Sequence, residues 1–201
     1  MQNSALSLSM VDRMTLSHFR KHLPRAQRSD FNEAVRRVLA EEAKLHPDPV
    51  TAGHVVFAAG LMCSVSQWQA HGLDRPAAKA EALTAVTKLG QRSNALAMWL
   101  TALLSKDVFL AMKRHTVEKS VKAYGPTFEF GLEESDDAFV SLVHVCGYRT
   151  FLARHGADDL ISLFCEWDRV WINALPRGVG FARPATLAQG APACRFEFTR
   201  E

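Results

Sequence analysis

The chain has 201 residues, enough for one domain or one domain with a helical extension, and its 24 basic and 21 acidic residues leave a formal charge of +3. Charges this balanced argue against a nucleic-acid partner; only the first 37 residues lean basic, and their Arg20, Lys21, Arg25, Arg28, Arg36 and Arg37 are expected on a solvated helix face. Four cysteines without a C-x-x-C pair, and a start MQNSALSLSM with no basic residue ahead of an apolar run, point away from export and toward a reduced, cytoplasmic protein.

The first half has helical periodicity. Asp30 followed by Glu33 has the spacing of a capping box, and Phe31, Val35, Val38 and Leu39 recur on one face until the Pro47/Pro49 pair. A second helix, capped by Thr51 and running to about His71, is apolar on nearly every side. Its most apolar stretch, Val55 to Val65, is too short for a membrane span of roughly 20 residues, so it is expected as a buried core helix, with a homodimer interface as its other use. Asp74 with Pro76 opens a third helix that Gly90 closes. Leu96, Trp99, Leu100 and Leu103 then define a fourth, with a break near Ser105 and an end at Tyr124, ahead of Gly125-Pro126.

After Pro126 the period falls to two. Phe128, Phe130 and Leu132 alternate with polar residues and glycine, the turn ESDD follows, and Phe139 to Cys146 has the pattern of a hairpin partner ended by Gly147. Helices are expected over Arg149 to His155 and Asp158 to Leu175, and a last hairpin from Phe181 to Leu187 and Cys194 to Thr199 around Gln189-Gly190. The expected fold class is α+β: a helical N-terminal half packed on a small antiparallel sheet of about four strands with a crossing helix, residues 1–50 being an N-terminal helical extension and 51–201 the main domain.

Three of the four cysteines, Cys146, Cys165 and Cys194, fall in the last third, with Asp168 one helical turn beyond the middle one. On the 158–175 helix Asp168 sits at the shoulder of an apolar stripe made by Leu160, Leu163, Phe164, Trp167 and Trp171. A carboxylate so placed needs a partner or an altered pKa, and a salt bridge to Arg149 or Arg183 satisfies it as well as a catalytic role does. His144 and Cys146 share a strand face about 7 Å apart, so His144 is expected as the imidazole that assists a Cys146 thiolate. Each cysteine alone also suits the core, Cys63 most of all. Together Cys146, Cys165 and Cys194, with Asp168 or His144 as fourth ligand, suit zinc.

The runs VHVCGY, LISLFCEWD and FARPATLAQGAPACRFEFTR resemble the C-terminal half of the L-2-amino-thiazoline-4-carboxylic acid hydrolase family. The likeness rests on Cys146 after a strand, Cys165 with Asp168 as C-x-x-D, and Thr186, Leu187, Gly190, Cys194 and Phe196 in a closing hairpin. It implies a hydrolase that opens a ring C–N bond of a small thiazoline acid, giving an S-carbamoyl thiol amino acid. Cys146 would be the nucleophile or a metal ligand, and Asp168 would handle the proton. A substrate carboxylate would take an arginine, for which Arg149, Arg183 and Arg195 are the local choices. The closing hairpin also looks like ligand-binding domains of the four-vinyl-reductase type, which implies the alternative of a non-catalytic small-molecule-binding domain with a cysteine-held metal.

Overall fold

A computed structural model describes residues 8–45 and 48–201, with the side chains of residues 117–121 left aside. In chain order the elements are α1 (Met10–His22), α2 (Arg28–Glu42), α3 (Pro49–Ala70), α4 (Arg75–Lys88), α5 (Gln91–Leu104), α6 (Val108–Tyr124), β1 (Glu129–Glu134), β2 (Ala138–Val145), α7 (Gly147–Arg154), α8 (Ile161–Trp167), α9 (Arg169–Ile172), β3 (Val179–Ala185) and β4 (Cys194–Arg200). The class is α+β. The chain forms two compact units: residues up to Leu89 with Tyr148–Trp167, and Gly90–Gly147 with Asp168–Glu201.

The first unit is built around α3. Asp48 caps it, accepting from the Thr51 backbone N–H at 2.8 Å, and Pro49 occupies the first turn, where no intrahelical donor is lost. Thr51 is thus the third residue after the cap. From Val55 to Leu61 every residue is buried, because α1, α2 and α4 all pack on this helix. It is long and apolar enough to cross a membrane by composition, yet 67 % of that stretch lies inside the protein. Gly60 allows α1 its close approach: a Cβ there would stand 2.7 Å from Cδ2 of Phe19. The residues before position 50 add Phe19, Leu23, Phe31, Val35 and Leu39 to the buried core of this unit.

Local signals at the first helices differ from the expected ones. The Asp30/Glu33 box does not form, because α2 begins two residues earlier, at Arg28, after a 3-10 turn over Arg25–Gln27. A capping box sits instead at Ser9 and Asp12, each side chain bonding the other's backbone N–H. Pro47 lies outside the described residues. From α7 and α8 the unit gains Tyr148, Phe151, Leu152, Leu163 and Phe164, with Phe57 of α3 edge-on to Tyr148 and Phe164 at 5.8 and 5.5 Å. Buried Glu42 receives Arg154 at 3.2 and 2.5 Å and His155 at 3.0 Å, which ties α2 to α7.

The second unit is a four-stranded antiparallel sheet in the order β1-β2-β4-β3, covered on one face by α6 and α9. Register decides which face that is. Phe139 pairs with Phe198, Ser141 with Phe196 and Val143 with Cys194, and these side chains share the covered side with Phe109, Met112 and Trp171. The Phe139 and Phe198 rings stack at 4.4 Å. Helices α5 and α6 separate at Ser105, where the sequence places a break, and Asp107 caps α6 through the Leu110 N–H at 2.9 Å. The apolar stripe of α5 faces out: Trp99 is 58 % exposed and Leu103 64 %.

Candidate active site

Asp168 stands where the expected 158–175 helix is interrupted. Trp167 ends α8, and Asp168 opens α9, its carbonyl accepting from Trp171 and Ile172. One carboxylate oxygen accepts from the Trp171 indole N–H at 3.2 Å and the other from Nη1 of Arg183 at 3.0 Å. Arg183 rises from β3 on the covered face, its guanidinium 5.8 Å over the Phe196 ring. Trp171 itself packs on Phe181, Phe196 and Phe198. The carboxylate is therefore set in an aromatic layer, and burial pushes its pKa up to about 6 even though Trp171 and Arg183 pull it down. Asp168 thus has the expected salt bridge, to Arg183, together with a raised pKa.

Tyr124 ends α6, and its ring meets Phe128 and Phe130 at 4.9 and 5.4 Å. Gly125, at φ +70°, lets the chain turn back immediately so that these two phenylalanines come under the tyrosine. Burial raises the phenol pKa first of all, and the negative charges of Asp168 and of a Cys146 thiolate raise it further. The hydroxyl thus lies within electrostatic reach of both groups and stays protonated well beyond neutral pH.

Cys146 follows the last residue of β2 and is half-buried. The next residue has to be glycine: a Cβ at Gly147 would meet Cε2 of Phe128 and Oγ1 of Thr127, each at 2.8 Å. That contact holds the Cys146 backbone against the 127–128 turn, next to the aromatic group that carries Tyr124. The strand ends at Val145, so alternation along it no longer places Cys146.

His144 lies on the other face of the sheet, exposed, opposite Gly131, whose missing side chain leaves room for the ring. It makes no hydrogen bond or ion pair with any described residue, and so it does not assist Cys146 in this geometry. Arg195 is on that outer face too, held by Glu197 at 2.6 Å and Glu133 at 2.9 Å. Arg149 is exposed on α7 in the first unit. Of the three arginines expected for a substrate carboxylate, Arg183 is the one that pairs with Asp168.

The cysteines do not gather into a zinc centre. Among the described residues no three His, Cys, Asp or Glu side chains are grouped to hold a metal ion. Cys165 belongs to the first unit, while Cys146, Cys194 and Asp168 belong to the second. The Cys194 sulfur is buried and accepts the Leu187 backbone N–H at 3.2 Å, a contact that closes the hairpin. Cys63 is buried in α3, its thiol pushed up to about 12 by desolvation, which makes it a small apolar side chain at any ordinary pH.

Asp168, with its raised pKa, and Arg183 beside it lie in a unit that also carries a half-buried thiol at Cys146 and a phenol kept neutral at Tyr124, residue types that acid–base and nucleophilic chemistry use. Sequence reading did not single out Tyr124, which ends α6 and carries no periodicity of its own. Residues 56–198 match the L-2-amino-thiazoline-4-carboxylic acid hydrolase family, and the chain belongs to that family, which is named for a hydrolase. No curated protein and no solved structure matches the chain.

Proposed function

We propose that the protein hydrolyses a small cyclic amidine of the thiazoline carboxylic acid type, opening a ring C–N bond at the amidine carbon. The observation that carries this reading is the Asp168 carboxylate, raised in pKa and held by Trp171 and Arg183, in the same unit as the half-buried Cys146 thiol. With a pKa near 6, Asp168 is largely ionised at pH 7 and basic enough to take the thiol proton. The Cys146 thiolate adds to the electrophilic ring carbon, the ring C–N bond breaks as the departing nitrogen takes up the proton the thiol gave up, and water then adds to that carbon and displaces the Cys146 thiolate, leaving an S-carbamoyl thiol amino acid. Arg183 fixes the base and supplies positive charge for an anionic substrate.

The test is direct. Incubation with 2-amino-thiazoline-4-carboxylate should yield a product heavier by one water in mass spectrometry, and Cys146→Ser should abolish it. Tight binding of the ring with no product, unchanged in Cys146→Ser, would instead establish a binding domain.

A further inference from the structure

Helix α5 is mostly apolar, and from Ser93 to Leu104 it carries no charge. A helix of that composition belongs where its apolar sides are covered. Yet none of its described residues is buried. Met98 packs on the core of the sheet unit, and Asn94 and Thr101, one turn away in each direction, are half-buried with it. At about 100° per residue, Leu96, Trp99, Leu100 and Leu103 fall on the opposite side, in the i, i+3, i+4, i+7 spacing of a packing seam. They are 56, 58, 39 and 64 % exposed.

We propose that this seam is a homodimer interface, in which α5 packs antiparallel on α5 of a second copy across a two-fold axis. With about 180 Å² for a fully exposed leucine and about 250 Å² for a tryptophan, the four seam residues and Leu104 expose roughly 570 Å² per chain. A standard interface buries about 800 Å² per partner, and about 65 % of it is apolar between identical chains, which is about 520 Å². The seam supplies the apolar area that a stable dimer needs. Helix α3, whose apolar length suits the same use, is already covered by α1, α2 and α4.

The seam is its own complement. Turned end for end, it sets Leu96 against Leu103 and Trp99 against Leu100 of the second copy, as an interface between identical faces demands. The charge nearest this face is Arg92, about 11 Å along the helix from the centre of the seam. Antiparallel copies therefore hold their two arginines about 22 Å apart, beyond the Debye length of about 8 Å, whereas parallel copies would set them about 10 Å apart. A charged partner protein finds nothing to pair with along the seam. A membrane surface suits it less well, because helices that lie in the interface flank their apolar face with several lysines and arginines.

Light scattering after size exclusion of the full chain, loaded at about 50 µM, should give about 45 kDa, twice the 22.3 kDa of one chain. Leu96→Glu and Leu103→Lys, made singly, should each raise the dissociation constant about 10²-fold or more and shift the mass to that of one chain. Both positions are more than half exposed, so the far-UV circular dichroism of each variant should match that of the wild type, which separates loss of the dimer from loss of the fold. The two changes combined in one chain should restore the dimer, because antiparallel packing sets position 96 of one copy against position 103 of the other. Wild-type protein that stays at 22.3 kDa overturns the proposal, and its flotation with phosphatidylcholine–phosphatidylglycerol vesicles would assign the seam to a membrane instead. A dimer that survives both single changes overturns it as well, by placing the interface elsewhere. Single changes that dissociate the dimer without recovery in the combined variant would overturn the antiparallel packing.

Discussion

Asp168→Asn is the most informative single change. The carboxyl ionises at about 3.8 in a solvated chain and at about 6 in the folded protein, a separation of roughly two pKa units that corresponds to about 3 kcal/mol. A folded pKa above the unfolded one means that folding favours the protonated acid. The contribution to stability is present below about pH 4 and is lost as pH rises through about 6. Asparagine does not titrate. It keeps the Trp171 contact, because its amide oxygen accepts an indole N–H, but turns an NH2 toward Arg183, which costs about 1–3 kcal/mol at every pH. That offset is constant, so the slope is diagnostic: stability of the variant minus that of the wild type should rise by about 3 kcal/mol between pH 4 and pH 7. Urea unfolding at half-unit pH steps measures it. In the same interval wild-type kcat/KM should climb tenfold per pH unit and level off above about pH 6, while the variant stays about 10²- to 10⁴-fold lower with no such limb. A stability difference that is flat across the interval would refute the buried-carboxylate argument, and an activity limb that survives in Asp168→Asn would assign the base elsewhere.

Alkylation with iodoacetamide at pH 8, followed by peptide mapping, should modify Cys146 well before Cys63, whose thiol is pushed up to about 12; equal rates at the two positions would contradict the burial of Cys63. Glu42→Gln should cost about 3–5 kcal/mol in urea unfolding, because it leaves Arg154 and His155 facing a neutral amide at a site only 2 % exposed. Burial works to raise the Glu42 pKa, but Arg154 and His155 outweigh it and hold the group below its ordinary value. The stability it supplies is therefore present above the ordinary glutamate range and lost as pH falls through the lowered pKa. A loss under about 1 kcal/mol would show that the pair is solvated.

The strands were legible because the alternation at Phe128, Phe130 and Leu132, and again before Cys146, reports a sheet with one covered face. So was the core role of α3, whose apolar residues leave no polar side to turn to water. What alternation does not report is which face is covered. The register of β2 against β4 sets that, and it places Phe139, Ser141 and Val143 inward, so His144 points out. Counting in twos also stops at Val145, where the strand ends, so the spacing of His144 and Cys146 does not by itself put them on one face. Asp168 was findable as a carboxylate beside an apolar stripe. Tyr124 was not, because a single tyrosine at a helix end carries no periodicity, and its partners are 22 and 44 residues further along the chain.

The placement of Cys146 and Asp168 in the chain accounts for their precision. The second unit sends the chain out after Gly147 and takes it back at Asp168, so the two residues bracket the excursion Tyr148–Trp167. Cys146 is thus held on one side by a strand paired in the sheet, Asp168 by a helix start bonded to Trp171 and Arg183. Neither hangs on a loop of its own. Tyr124 and Arg183 come from α6 and β3, so four separate elements each contribute one group. Four groups fixed this way have little freedom left to lose when a ligand binds, and the proposed hydrolysis draws on that pre-ordering.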